Sequence, residues 1–229
     1  KREEPVEYSK EHYPKGLNSM FSQGDRQQIL RHFAGENGGK FDDPELREIA
    51  AQKHKICKAL GHLEGLTIAD VGSGTGVLLP LLSQAAGEKG KVFAIELSEV
   101  FLGHLKNKKD EMKLSNVEVK RCDEKSTHLP TNSAHLALLC DVYHHVEFPY
   151  TFMSDVRRAL RDDGRLYIVD FYNDPQRAKY HTPEWCQNHI RADKATFRGE
   201  IERAGFRYLC DVVIEGLDEN YMMVFEKKA

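Results

Sequence analysis

A strand that ends in a glycine-rich turn constrains this sequence more than any other feature. Residues 68–76 read Ile-Ala-Asp-Val-Gly-Ser-Gly-Thr-Gly, and a helical pattern follows them. Glycine has no Cβ and adopts backbone angles that other residues avoid, so a ligand can lie directly against such a turn. The order of strand, glycine turn and helix therefore predicts a nucleotide pocket in an α/β protein.

The spacing of the glycines distinguishes between classes of nucleotide. Gly72, Gly74 and Gly76 form a Gly-x-Gly-x-Gly series, whereas a dinucleotide fingerprint would place its last glycine at the position of Val77. This mismatch argues against NAD or FAD. With Asp70 before it, the turn resembles the first motif of the class I methyltransferases, the seven-strand, Rossmann-like enzymes that depend on S-adenosylmethionine (SAM).

Length, charge and cysteine content limit the classes of function. The 229 residues can form a full core, and 33 basic residues against 36 acidic ones give a net charge of −3. We expect no nucleic-acid partner because no basic stripe is present, and no membrane span because the apolar runs are far shorter than about 20 residues. Five cysteines without a Cys-x-x-Cys pair favour a reducing, cytoplasmic location and predict no metal site, although a removed leader stays open.

The rest of the chain alternates between strand and helix patterns. We predict strands at 66–71, 91–96, 116–121, 134–140 and 165–171, and helices at 75–87, 98–113, 150–161 and 183–204, after a first helix that begins at Asp43-Pro44. Two β-rich segments, 206–214 and 221–225, are too close together for a crossover helix and predict an antiparallel hairpin. The expected fold is α/β: a doubly wound, mostly parallel, seven-stranded sheet with helices on both faces and a C-terminal antiparallel hairpin.

The first 40 residues differ from the rest of the chain. They are polar and charged but carry Tyr8, Tyr13, Phe21 and Phe33, and we predict a short helix over 22–33. This N-terminal extension either covers the cofactor crevice as a lid or packs on a sheet edge or a partner subunit. Residues 41–229 form the SAM-dependent methyltransferase domain that the resemblance implies, and a homodimer stays open.

Acidic residues stand at the ends of successive strands. Asp70, Glu96, Asp123 and Asp141 follow the first four strands of the pattern. Because ligands of parallel sheets bind beyond the carboxyl ends of the strands, these residues should converge on one crevice. Each acid alone could be an ordinary surface residue, but the set favours a ligand with a sulfonium and an ammonium group over a phosphate.

The resemblance implies a role for each of these residues with SAM as the cofactor and S-adenosylhomocysteine as the product. Glu96 would accept from the ribose hydroxyls, Asp123 from the adenine amino group, and Asp70 with the Asp141 main chain would hold the ammonium end. The full set of cofactor-binding residues implied is Asp70, Gly72, Ser73, Gly74, Gly76, Glu96, Leu97, Asp123, Glu124 and Asp141. The stretch 160–166 departs from the usual pattern at Asp162 and Asp163 but keeps Gly164.

Candidate catalytic residues follow the fourth strand. Tyr143, His144 and His145 would lie near the transferring methyl group, and one of the two histidines could act as a general base or orient the acceptor. Both could equally be structural, because adjacent side chains do not easily face one pocket. Trp185 and His189 lie after the fifth strand, where the family often inserts a segment that contacts the acceptor.

These observations favour transfer of a methyl group from SAM to an oxygen, nitrogen or sulfur atom of a small-molecule acceptor. The alternative is a non-catalytic, SAM-binding regulatory or partner subunit. A protein or nucleic-acid methyltransferase is less consistent with the sequence, because Asp141-Val142-Tyr143-His144 stands where an Asn-Pro-Pro-Tyr type motif would be.

Overall fold

The computed structural model describes residues 39–228 and, before them, Glu7, Asn18, Phe21, Ile29 and Phe33. Apart from Ile29 and Phe33, the predicted helix over 22–33 lies outside the described residues, as does most of the predicted extension. No helix within the described part of the chain is long and apolar enough to cross a bilayer.

One sheet organises the described region, and helices flank it. The strands are β1 Thr67–Val71, β2 Lys91–Glu96, β3 Val117–Arg121, β4 Ala134–Cys140, β5 Leu160–Phe171, β6 Phe206–Asp211 and β7 Asn220–Lys227. The helices are α1 Gly39–Asp42, α2 Glu48–Ala59, α3 Leu79–Ala86, α4 Glu99–Glu111, α5 Pro149–Ala159, α6 Pro183–His189 and α7 Lys194–Arg203, with short 3₁₀ turns at Tyr143–His145 and Pro175–Arg177.

The strand order confirms the predicted fold class. The seven strands are arranged β3-β2-β1-β4-β5-β7-β6, and all neighbours are parallel except the pairs that β7 makes with β5 and β6. The chain reverses its direction of progress across the sheet between β1 and β4, which leaves a crevice at their carboxyl ends. That crevice is where the predicted site residues should meet.

The core has two apolar layers, one on each face of the sheet. In β4, Leu138 packs in one layer with Ile68 of β1, while Leu139 packs in the other with Val71. All four side chains are buried, which explains why the sequence of a central parallel strand is apolar without alternation. The rigid centre of the sheet thus ends directly at the crevice.

The predicted start of the first helix was wrong. Asp43 and Pro44 belong to a turn, in which a carboxylate oxygen of Asp43 accepts from the main-chain N–H of Glu45 at 2.8 Å. The backbone is extended at Arg47 (φ −143°), and α2 begins only at Glu48. The Asp-Pro pair, which resembles a helix start in the sequence, therefore lies in the turn that precedes α2.

Two further predicted boundaries changed. The single helix over 183–204 is two helices, because the chain is irregular at 190–193 and Asp193 caps a second helix by accepting from the N–H of Thr196 at 2.8 Å. The helix after the glycine turn begins at Leu79 rather than at position 75, since Gly76 has a φ of +73°. Both changes leave the order of elements intact.

Candidate functional site

A cleft opens at the carboxyl ends of the central strands. It contains about 1040 Å³ of empty space, counting its open mouth. Ligands of open α/β sheets bind at this edge of the sheet, so the cleft is the candidate binding site. Eight of the predicted cofactor residues line it: Gly72, Ser73, Gly74, Glu96, Leu97, Asp123, Glu124 and Asp141.

The glycines of the turn after β1 serve different purposes. Gly72 and Gly74 have φ values of +74° and +54°, in the left-handed region that favours glycine. A Cβ on Gly72 would lie 2.5 Å from a methyl carbon of Val142, so this glycine lets the turn pack against the loop after β4. A Cβ on Gly74 would meet no protein atom closer than 3.9 Å, so the space above Gly74 is open to a ligand.

Glu96 joins the end of β2 to the glycine turn. One carboxylate oxygen accepts from the main-chain N–H of Gly74, and the other accepts from those of Leu97 and Ser98, all at 2.9 Å. The side chain is buried, which raises the pKa of its carboxyl, and the three N–H donors lower that pKa in part. The carboxylate is therefore held rigidly at the wall of the cleft.

Asp70 lies beneath the turn and does not line the cleft. Its main-chain carbonyl accepts from the Ser73 hydroxyl at 2.9 Å. Burial raises the pKa of its carboxyl from 3.8 to about 6, and the nearby charge of Glu96 acts in the same direction. Asp70 therefore does not contact a ligand in the cleft directly, because the glycine turn lies between them.

Asp123 lines the cleft, but its carboxylate is engaged by its own loop. One oxygen accepts from the main-chain N–H groups of Lys125 and Ser126 at 2.8 Å, and the other lies 2.9 Å from Nε2 of His128. Both side chains of the pair with His128 are about half exposed. An adenine amino group at this site would have to share the carboxylate with these donors.

Asp141 is clamped from two sides at the end of β4. The guanidinium of Arg47 forms an ion pair with one carboxylate oxygen, and Nδ2 of Asn220 donates to the other at 2.6 Å. Burial raises the pKa of the Asp141 carboxyl to about 6, against the effect of the Arg47 charge. Sequence patterns pointed to Asp141 but gave no signal for Arg47, which also lines the cleft.

Tyr143 and His144 are buried behind the cleft and do not line it. The Tyr143 hydroxyl donates to Glu200 at 3.1 Å. Nδ1 of His144 lies 2.7 Å from an oxygen of Asp170, whose other oxygen accepts from the His144 main-chain N–H at 3.0 Å. Burial raises the pKa of Asp170 to about 7. These contacts tie the 3₁₀ turn to α7 and β5.

His145 is the member of the predicted catalytic trio that lines the cleft. Its Nε2 lies 3.2 Å from Nε2 of His189 on α6, and its ring meets Phe21 edge-on at 5.3 Å. Burial, together with the neighbouring rings of His144 and His189, lowers the pKa of His145 well below 6.5. The imidazole is therefore neutral at physiological pH, and one of its two ring nitrogens carries a lone pair.

Aromatic side chains cover one side of the cleft. Phe21, Phe33, Phe41 and Phe101 form a contiguous cluster with ring centroids 5.0 to 6.4 Å apart. Asn18 donates through Nδ2 to the His145 carbonyl at 2.8 Å. Asn18 and Phe21 of the N-terminal segment thus contact the loop that carries His145.

Comparisons with known proteins agree with this geometry. The methyltransferase domain family matches residues 69–168, which include the glycine turn and the strand-end residues. A SAM-dependent methyltransferase from Aquifex aeolicus has a similar structure, with 28% identity and a TM-score of 0.72 over 88% of this chain and 97% of that one.

Two curated sequences are similar over shorter parts. An uncharacterized 37.1 kDa protein in transposon TN4556 of Streptomyces fradiae is 26% identical over 72% of this chain and 43% of its own length. Protein-L-isoaspartate O-methyltransferase of Methanococcoides burtonii is 33% identical over 34% of this chain and 38% of its own length. The matches thus span less than half the length of either relative.

Proposed function

We propose that this chain, which has the class I SAM-dependent methyltransferase fold, transfers a methyl group from SAM to an oxygen, nitrogen or sulfur atom of a small-molecule acceptor. Homologous SAM-dependent methyltransferases use SAM as the methyl donor. The observation that carries the proposal is the open space above Gly74, bounded by the buried carboxylate of Glu96. A backbone that leaves open space beside a fixed hydrogen-bond acceptor, here the Glu96 carboxylate, suits a ligand that carries a ribose.

The residues at the cleft fit such a ligand. The two oxygens of Glu96 offer about four lone-pair positions, and three are occupied by the N–H groups of Gly74, Leu97 and Ser98. One position therefore stays available for a ribose hydroxyl. When bound, SAM would supply a methyl group attached to a positively charged sulfur, and acidic side chains around the cleft favour a ligand of that charge.

The acceptor side is formed by His145 and the aromatic cluster. His145 is neutral, so it can accept a hydrogen bond from a hydroxyl, amine or thiol of the acceptor and orient it. Phe21 and Phe41 also line the cleft and make part of its wall apolar. Because residues from the N-terminal segment border this space, we infer a small acceptor rather than an exposed macromolecular surface.

One observation is also consistent with a second function. Tyr143 and His144, two of the three side chains expected near the methyl group, make structural contacts instead. A SAM-binding regulatory or partner subunit would need no acceptor chemistry and would tolerate this arrangement. The two functions differ in turnover rather than in cofactor affinity.

Radiolabelled SAM distinguishes these functions. The full chain is incubated with methyl-labelled SAM and a panel of thiols, catechols, amines and carboxylates, and label in the extracted small molecules is counted. We expect transfer to one acceptor class and its loss in Gly74→Ala. SAM binding without transfer across the panel would favour the non-catalytic function, and label found only in added protein or nucleic acid would contradict the small-molecule acceptor.

A further inference from the structure

We propose that His144, His145 and His189 form a binding site for a divalent transition metal beside the cleft. One ring nitrogen of each residue lies within 4.8 Å of those of the other two. The 3₁₀ turn after β4 supplies two of these rings and α6 supplies the third, 44 residues away from His145 along the chain. The sequence predicted no metal site, because its cysteines lack the spacing of metal ligands and His189 is far from the other two histidines along the chain.

The distances suit coordination. The Nε2 atoms of His145 and His189 are 3.2 Å apart. Two imidazole nitrogens at about 2.1 Å from a tetrahedral Zn²⁺ would be about 3.4 Å apart, so this pair already has the required separation. The third ring, that of His144, has a nitrogen within 4.8 Å of the nitrogens of the other two.

A carboxylate supports the His144 ring from behind. Asp170 lies 2.7 Å from Nδ1 of His144 and also accepts from the main-chain N–H of Phe171 at 2.8 Å, so its position is fixed. If Nδ1 carries the proton, Nε2 presents its lone pair to the cluster. Metal-binding histidines are commonly held in this way by a carboxylate.

The ring of His189 is held in place by stacking. Trp185 lies against it at 4.5 Å between ring centroids, and His181 stacks on the other face of Trp185 at 3.9 Å. His181 is in turn 3.0 Å from Glu219 through Nδ1. This series of rings limits the rotation of His189 and keeps its Nε2 directed at His145.

The position of the cluster indicates what the metal would bind. His145 lines the cleft, so an ion held by the three rings would have a coordination position open on that side. Three histidines with an open fourth position are typical of zinc sites that bind water or substrate, and imidazole also suits copper, nickel and iron. An anionic oxygen or sulfur ligand is the class expected there. Metal binding itself does not depend on the proposed methyl transfer.

Direct metal titration of the metal-free full chain tests this inference. Zn²⁺ is titrated in competition with a chromogenic chelator, and Co²⁺ is added separately to record its visible absorption. We expect one ion per chain, a tetrahedral or five-coordinate Co²⁺ spectrum, and at least a 100-fold loss of affinity in His189→Ala. His62→Ala removes an exposed histidine and should bind as the parent does.

A second variant distinguishes a direct loss of metal binding from a folding defect. Asp170→Asn retains all three rings, and loss of the supporting carboxylate should weaken Zn²⁺ binding about 10- to 100-fold. S-adenosylhomocysteine binding, measured on the same samples, reports separately on the fold and on the cofactor site. Absence of saturable Zn²⁺ binding by the parent chain, or equal binding by His189→Ala, overturns the metal site whether or not S-adenosylhomocysteine binds.

Discussion

Arg47 and Asp141 form an ion pair that joins the start of α2 to the end of β4. Their side chains are only 12% and 9% exposed, so both charges are largely removed from water. The guanidinium also lies 4.4 Å from the centroid of the Phe41 ring. The pair therefore fixes the cleft wall where Asp141 has a left-handed backbone, with a φ of +55°.

Removal of Arg47 should destabilise the protein strongly. Arg47→Met leaves the Asp141 carboxylate buried without its cation, and such a loss costs about 3 kcal/mol of unfolding free energy. Asp141→Asn in the Arg47→Met background should recover part of this loss because it removes the unpaired charge. Chemical denaturation at neutral pH measures both variants.

An exposed ion pair provides the control for that experiment. Arg121 and Glu99 are about two-thirds exposed, so Arg121→Met should change the unfolding free energy by less than about 1 kcal/mol. A loss in Arg47→Met no larger than that in Arg121→Met would contradict the importance of burial for the Arg47–Asp141 pair.

Tyr143→Phe should affect stability but not cofactor affinity. The variant removes one hydrogen bond to Glu200, which keeps its two hydrogen bonds from Arg191 at 2.9 and 2.7 Å. We expect a loss of about 1 kcal/mol in unfolding free energy and an unchanged dissociation constant for S-adenosylhomocysteine. A tenfold weaker affinity in a folded Tyr143→Phe protein would place this hydroxyl in the binding site instead.

The buried Asp70 makes stability depend on pH. Its pKa is about 6 in the folded state, above the usual 3.8, so between these values the folded state binds more protons than the unfolded state. The contribution of Asp70 to unfolding free energy therefore falls as the pH rises through that interval and is smallest above it. A shift of about two pKa units corresponds to about 3 kcal/mol.

Asp70→Asn should remove this dependence. From about pH 4 to about pH 6.5, the unfolding free energy of Asp70→Asn should rise relative to that of the parent protein. Urea denaturation at a series of pH values measures this difference. Asp163→Asn, at a side chain that is 80% exposed, should run parallel to the parent. A difference between Asp70→Asn and the parent that is constant with pH would show that the Asp70 pKa is not raised.

Glu96→Gln should weaken both the turn and the cofactor site. The amide nitrogen that replaces one oxygen cannot accept a hydrogen bond, so the variant loses either the contact with the Gly74 N–H or those with the N–H groups of Leu97 and Ser98. We expect a loss of about 1–3 kcal/mol of unfolding free energy and at least tenfold weaker binding of S-adenosylhomocysteine. Chemical denaturation measures the first quantity and titration calorimetry the second. Glu118→Gln, at a surface strand position, should leave both quantities near the parent values. Unchanged affinity in Glu96→Gln would exclude its carboxylate from the ribose contact.

The fold and one side of the cleft could be predicted from the sequence because their signals are local. The glycine turn is encoded by adjacent residues, and apolar runs such as 134–140 identify buried strands without any knowledge of their neighbours. Glu96 and Asp141 were then located because parallel strands end at the same edge. The helix boundaries at Glu48 and Asp193 were not predicted. Turn contacts and capping contacts involve the same few residues, so a sequence pattern places a helix end only to within one or two positions.

Contacts between distant segments could not be predicted. The carboxylate of Glu48 accepts from the main-chain N–H groups of Asp218, Glu219 and Asn220, 170 to 172 positions away, and no local pattern indicates this. The same holds for His189, which the sequence placed on a segment near the acceptor but not beside His145. Long-range pairings of this kind depend on the packing of whole elements.

Calorimetric titration of S-adenosylhomocysteine into the parent chain, Gly74→Ala and Gly61→Ala tests whether this cleft binds SAM. Gly74 and Gly61 have φ values of +54° and +88° and open space around a new Cβ, but of the two only Gly74 lines the cleft, so Gly61→Ala controls for the effect of a side chain at a positive φ. We predict one site per chain, at least tenfold weaker binding in Gly74→Ala, and binding within about twofold of the parent in Gly61→Ala. A folded parent chain that binds no S-adenosylhomocysteine, or a Gly74→Ala variant that binds it as tightly as the parent, would contradict the assignment of this cleft to SAM.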